Sequence, residues 1–218
     1  MPAKNSAYQI AMLSARAALI GALMIGISFA INPGPPDGAT SEQLILFGKR
    51  YYKEILWGGW LQAVGPVLIM LFAISIVYLA AAMNQVVGWM TLLGACILVM
   101  VSLTEVIFYI TALFSVPDNM DIVSMNIAHA VQHLYFIVAA PAIFLPLGLV
   151  VLSSTVLPKV FGYLAIGLAI GFMIVGITSL YHLVLSTTET LLAPIQAFWW
   201  VGAAITLRIR AKKRYLIT

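Results

Sequence analysis

The chain has 218 residues, 63% of them hydrophobic and only 8% charged, against about 25% charged in a soluble domain. So little charge cannot build the hydrated shell that a water-soluble globule of this size needs. The formal net charge is +4, but five of the eleven Lys and Arg fall in the last eleven positions, directly behind an apolar segment. That placement marks a membrane-side tail beside anionic lipid and excludes a folded nucleic-acid-binding face.

Length allows one domain, 1–218. Crossing the hydrocarbon takes roughly 20 helical residues at about 1.5 Å each. Six segments qualify, at about 11–31, 56–82, 86–114, 124–152, 160–185 and 190–208. All are too long and too continuously apolar for barrel strands. Helix is the form that satisfies its own backbone in lipid. The predicted fold is an all-α bundle of six transmembrane helices, forming a single integral membrane domain.

The first span carries Arg16, whose long side chain can reach the interface. Its flanks also fit a cleaved secretory signal, with small residues Ser28 and Ala30 ahead of Asn32-Pro33-Gly34, but five further spans favour a retained first helix. Three prolines and two glycines make 32–38 a loop. Thr40 and Gln43 then match a capping box. Leu44, Phe47, Tyr51 and Ile55 share one helical face, with Lys49, Arg50 and Lys53 elsewhere. This predicts a short amphipathic helix lying on the membrane before the second span. Tyr51, Tyr52, Trp57 and Trp60 suit an aromatic belt there.

Met83-Asn84-Gln85 is short enough to make spans two and three an antiparallel hairpin. The next loop, around Pro117 to Asp121, is acidic; Pro158-Lys159 and 186–190 mark the remaining turns. Cys96 is the single cysteine, so no intrachain disulfide can form. Pro141 and Pro146 each remove a backbone bond from the fourth span and can kink it. Gly162, Gly167, Gly171 and Gly176 run along the fifth, and the four-residue spacing of Gly167 and Gly171 predicts close helix packing there. With the C-terminus inside, eight Lys and Arg lie on the inner side and three on the outer, which predicts cytoplasmic N- and C-termini.

The polar residues inside the spans carry the functional signal. Glu105 is the one carboxylate well inside a span, where a charge costs about 3 kcal/mol on insertion scales. Such a group is usually paired, protonated or lining water. His129 and His133 are four apart and share a helix face, a spacing that can hold one metal ion. A zinc-protease signature is absent, because Ala130 stands where its Glu would be. Counting from the nearer membrane surface, Glu105 and His133 lie roughly 13 Å deep, His129 roughly 7 Å and His182 about 5 Å. Gln62 and Gln196 lie roughly 9 Å deep on the same side. Tyr109, Gln132, Tyr181 and Trp199 join them, while the other halves of the spans are mostly Leu, Val, Ile, Ala and Gly.

This shared depth predicts a polar pocket opening to the outer side. In its metal form, His129, His133 and His182 or Glu105 ligate zinc or copper. A haem would need His182 opposite one of the paired histidines. In its metal-free form the pocket takes a small lipophilic molecule, with Glu105 and a histidine moving protons. In the specific contact expected, Glu105 and His133 hydrogen-bond across adjacent helices. The contrasting class is a small transporter, or a structural or partner subunit of a membrane complex without a cofactor. A transporter usually needs midplane sites between broken helices, and the inner halves offer no polar path.

Three stretches carry a family likeness: Trp57 to Ala80 (WGGWLQAVGPVLIMLFAISIVYLA), His129 to Val150 (HAVQHLYFIVAAPAIFLPLGLV) and Leu157 to Leu168 (LPKVFGYLAIGL). They resemble a group of uncharacterised bacterial inner-membrane proteins classed as a domain of unknown function. The resemblance implies a bacterial multi-helix plasma-membrane protein and brings no activity with it. The paired-histidine helix is also similar to membrane hydrolases of the ceramidase and progestin-receptor superfamily. Those have seven spans and add a Ser and an Asp, and no Asp lies within a span here.

Overall fold

A computed structural model describes residues 4–32, 40–114, 122–180 and 186–216. The described residues are almost wholly helical and contain no strand. The helices are α1 (Lys4–Ile31), α2 (Ser41–Arg50), α3 (Tyr52–Leu79), α4 (Val86–Phe114), α5 (Ile122–Leu134), α6 (Ala140–Leu152), α7 (Lys159–Leu180) and α8 (Ser186–Leu216). A π-helical turn, Tyr135–Ala139, joins α5 to α6 without a break.

Five stretches of helix among the described residues are long and apolar enough to cross a membrane: in α1, α3, α4, the α5–α6 rod and α7. This is one fewer than the six expected. The sixth, α8, is a 31-residue helix that mixes an apolar middle with a strongly basic end. Helix bounds also differ at the edges. The first helix starts at Lys4 rather than near residue 11, and α8 runs on to Leu216 rather than stopping near 208.

The long helices pack in chain order, α1 on α3, α3 on α4, α4 on α6 and α6 on α7, and α8 closes the ring against α1 and α7. An aromatic cluster fills the centre. Trp200 of α8 lies edge-on to Phe72 of α3 with ring centroids 6.1 Å apart, and 5.1 Å from Phe144 of α6. Phe172 of α7 stacks on Phe144 at 6.2 Å. Large apolar side chains cover the outside as well, as a lipid-facing surface requires. Exposed Trp57 and Trp60 stand near one end of α3 and exposed Tyr78 at the other. Trp57 and Tyr78 are about 31 Å apart along the axis at about 1.5 Å per residue, close to the roughly 30 Å hydrocarbon thickness.

The ends differ in charge. One end gathers the start of α1, the α3–α4 and α6–α7 turns and the basic end of α8. By chain position it holds seven of the eleven Lys and Arg and none of the seven Asp and Glu, with Arg16 nearer the middle of α1.

Backbones come closest at glycine, though not where the spacing in the fifth span implied. A Cβ added at Gly167 would meet nothing within 4 Å, and one at Gly171 only Leu192 at 3.5 Å. The tight positions on α7 are Gly162, facing the Gly148 carbonyl, and Gly176, facing the backbone of Ile137. They sit on the stripe with buried Ala165, Ala169 and Phe172, whereas Gly167 is on the exposed face. Gly94 of α4 lies directly on the Ala142 carbonyl of α6.

Pro141 accounts for the π turn. Its ring would collide with the Ile137 carbonyl in a regular helix. One additional residue in the turn relieves that conflict, and the Ala140 N–H bonds Tyr135 instead. The conflict is thus taken up as a register shift.

The capping box at α2 forms as expected: Thr40 N–H donates to Gln43 Oε1 at 2.9 Å, and Gln43 N–H donates to Thr40 Oγ1 at 3.3 Å. The predicted apolar face is used, with a partner in the protein: Phe47 and Ile55 pack on Leu113, and Leu44 and Ile45 on Ala112, with Tyr109 against both groups. Thr40→Ala is expected to destabilise α2 by about 1 kcal/mol, seen as faster amide hydrogen exchange confined to 41–50.

Candidate functional site

Glu105 and Tyr109 are one turn apart on α4 and face the same direction. Glu105 is buried at 8% exposure. Its two carboxyl oxygens are taken by amides from different helices. Gln62 of α3 donates to Oε2 at 2.6 Å, and Gln132 of α5 donates to Oε1 at 2.9 Å. Gln132 also donates to the Tyr109 hydroxyl at 3.0 Å. Among the described residues no Lys or Arg pairs with the carboxyl group, so amide dipoles hold it. Three helices are therefore tied together at one level, roughly 13 to 15 Å from their ends.

A second pair lies one turn along from Gln132. The hydroxyl of Tyr135, in the π turn, donates to Gln196 Oε1 on α8. Gln196 is buried, and Tyr135 packs edge-on to Phe172 at 5.8 Å. Sequence reading missed Tyr135. The available signal was a tyrosine in an apolar run three positions after Gln132: its ring belongs in the core but its hydroxyl needs a partner. Trp199, placed with this group by depth, instead donates its indole N–H to the Phe161 carbonyl at 2.9 Å.

Prolines stand close to these glutamines. Pro66 follows Gln62 by four positions and lacks the N–H that would otherwise hold the Gln62 carbonyl. Pro194 precedes Gln196 by two.

The structure thus joins Gln62, Glu105, Tyr109 and Gln132 in one cluster and gives Gln196 to Tyr135. The expected Glu105–His133 bond is not made. Gln132 takes that place, because adjacent residues point about 100° apart around a helix and Gln132 is the one turned to α4. His133 is half-buried on α5 and has an interaction of its own. Tyr181 and His182 lie outside the described residues, as does the side chain of His129, whose backbone is on α5. Among the described residues no three His, Cys, Asp or Glu converge as a metal group. Two clefts, of about 520 and 460 Å³, lie away from the cluster, one at the basic end and one along the α1–α8 groove.

Chemically, the cluster presents a carboxyl group fixed by donors on both oxygens. Tyr109 also packs against residues of α2 and of the start of α3, Phe47 and Ile55 among them. No protein-family model, curated protein or solved structure matches the chain.

Proposed function

We propose that this is a six-span bacterial plasma-membrane protein with cytoplasmic termini, which binds a small lipophilic ligand through a hydrogen-bonding head held at Glu105. The observation that carries the reading is the buried Glu105 carboxyl, bracketed by Gln62 and Gln132 from two other helices. A carboxyl group so deep in an apolar bundle is costly unless it has a task. The neighbouring π turn points the same way, since such turns recur at functional sites. The carboxyl oxygens are acceptors, so the ligand head is a hydrogen-bond donor. Entry from the outer interface, past α2 and Tyr109, suits the cover of that end.

Support for the sixth span is the length of α8 and the burial of Trp199, Trp200, Ala203, Ala204 and Leu207 against the other helices. Support for the orientation is the eight-to-three division of Lys and Arg.

Mass spectrometry of gently purified protein, with elemental analysis of the same sample, tests the function. The wild type is expected to carry a small lipophilic molecule, and Glu105→Gln to lose most of it while remaining folded. Equal retention by Glu105→Gln overturns the assignment. Stoichiometric zinc or copper that is lost in His133→Ala replaces it with the metal reading of the same pocket.

A further inference from the structure

At the basic end a cleft of about 520 Å³ opens between the end of α8, the start of α1, the end of α3 and the α6–α7 turn. Its polar lining is Arg210, Lys213 and Arg214 from α8 and Thr155 from the turn; buried Ala11 and Leu207 form part of its apolar wall. We propose that this cleft binds the phosphate of an anionic membrane phospholipid, with the start of the lipid's acyl chains against the apolar wall.

The arrangement of the tail carries the inference. Arg210, Lys213 and Arg214 are spaced three and four apart, so they fall on one face of α8. Arg208 and Lys212 are also four apart but lie on the opposite side, and neither lines the cleft. A tail that merely met the negative membrane surface would have no reason to gather three cations around one hollow. Arg214 has an interaction of its own, and no Asp or Glu occurs at this end by chain position, so an outside anion is the charge complement that Arg210 and Lys213 fit. Arg offers a planar fork to two phosphate oxygens, Lys a compact charge and Thr155 a hydroxyl. The level also suits a headgroup. Exposed Tyr78, Trp89 and Tyr163 all stand near this end of their helices, as aromatic residues do at a membrane interface. A free phosphate ion would satisfy the cations but leave the apolar wall uncovered.

The inference rests on the membrane reading and is independent of the ligand at Glu105. Delipidated full-length protein is placed in phosphatidylcholine nanodiscs, and thermal stability is followed as phosphatidylglycerol is added. A saturable rise in Tm is expected. Arg210→Gln/Lys213→Gln should weaken that response about tenfold or more, whereas Arg208→Gln/Lys212→Gln, with the same loss of charge, should leave it close to wild type. Should the first pair fail to fold, Arg210→Lys serves in its place; it keeps the charge, loses the fork and should still weaken the response. Equal weakening in both double variants means diffuse surface charge and overturns the site. So does an equal Tm rise with inorganic phosphate at matched concentration, which would make the ligand a free anion. Wild type that enters nanodiscs but ignores phosphatidylglycerol sinks the site and leaves the membrane reading standing. Protein that will not enter nanodiscs removes both.

Discussion

Glu105→Leu is expected to cost about 2 to 6 kcal/mol, among the largest effects of any single change in this chain. The substitution leaves the Gln62 and Gln132 amides facing an apolar side chain inside the bundle. Each stranded donor costs about 1 to 3 kcal/mol. Glu105→Gln should behave differently. Gln132 must keep its N–H₂ on Glu105 and Tyr109, so the new side chain has to present oxygen to Gln132 and nitrogen to Gln62. Gln62 bonds only to Glu105 among the described residues, so it can turn its amide over and accept. The expected cost of Glu105→Gln is under about 1 kcal/mol. Thermal unfolding in detergent measures both. If Leu and Gln at position 105 prove equally destabilising, the two-amide bracket does not hold the carboxyl group as described.

Gly94→Leu is expected to prevent α4 from seating on α6. A Cβ at this position overlaps the carbonyl of Ala142, and nothing there is the yielding end of a side chain. Relief requires the two helices to separate along their contact, which exceeds the roughly 1 to 3 kcal/mol of ordinary overpacking. Gly176→Leu should act in the same direction, since its Cβ would lie 2.9 Å from the Ile137 nitrogen and 3.0 Å from its Cα in the π turn. Gly167→Leu, on the exposed face of α7, should be tolerated. The yield of monodisperse protein on size-exclusion chromatography ranks the three. Loss at position 167 with survival at 94 would contradict the packing described here.

Much of the outcome was legible before any coordinates. Hydropathy located the long helices because in lipid a segment must be apolar and must bond its own backbone, and both demands are met or failed locally. The α4 bounds, 86–114, coincide with expectation, because a three-residue polar turn and an acidic loop leave no freedom at either end. The α2 cap and apolar face were also local: Thr40 and Gln43 are three apart, and Leu44, Phe47, Tyr51 and Ile55 recur at helical spacing. Depth picked out Gln62, Glu105, Tyr109, Gln132 and Gln196, since residue count along a straight helix is a ruler.

Rotation about the helix axis was beyond that ruler. Depth alone places Gln132 and His133 within about 1.5 Å of each other along α5, yet the amide, not the imidazole, reaches Glu105. Which of the two faces α4 depends on how neighbouring helices seat, at contacts such as Gly94 on Ala142 and Gly176 on Ile137. The π turn adds to this, because one extra residue rotates everything after it, including the helix that carries Phe144 into the core. The glycines of α7 teach the same lesson. Gly167 and Gly171 have the spacing of a packing motif, but spacing is a property of one helix and contact a property of two. The apolar character of each span settled that this chain forms helices suited to a membrane; side-chain pairing, the cation-lined cleft and the tight glycines arose only when those helices were set against one another, because van der Waals fit and hydrogen-bond geometry depend on both partners.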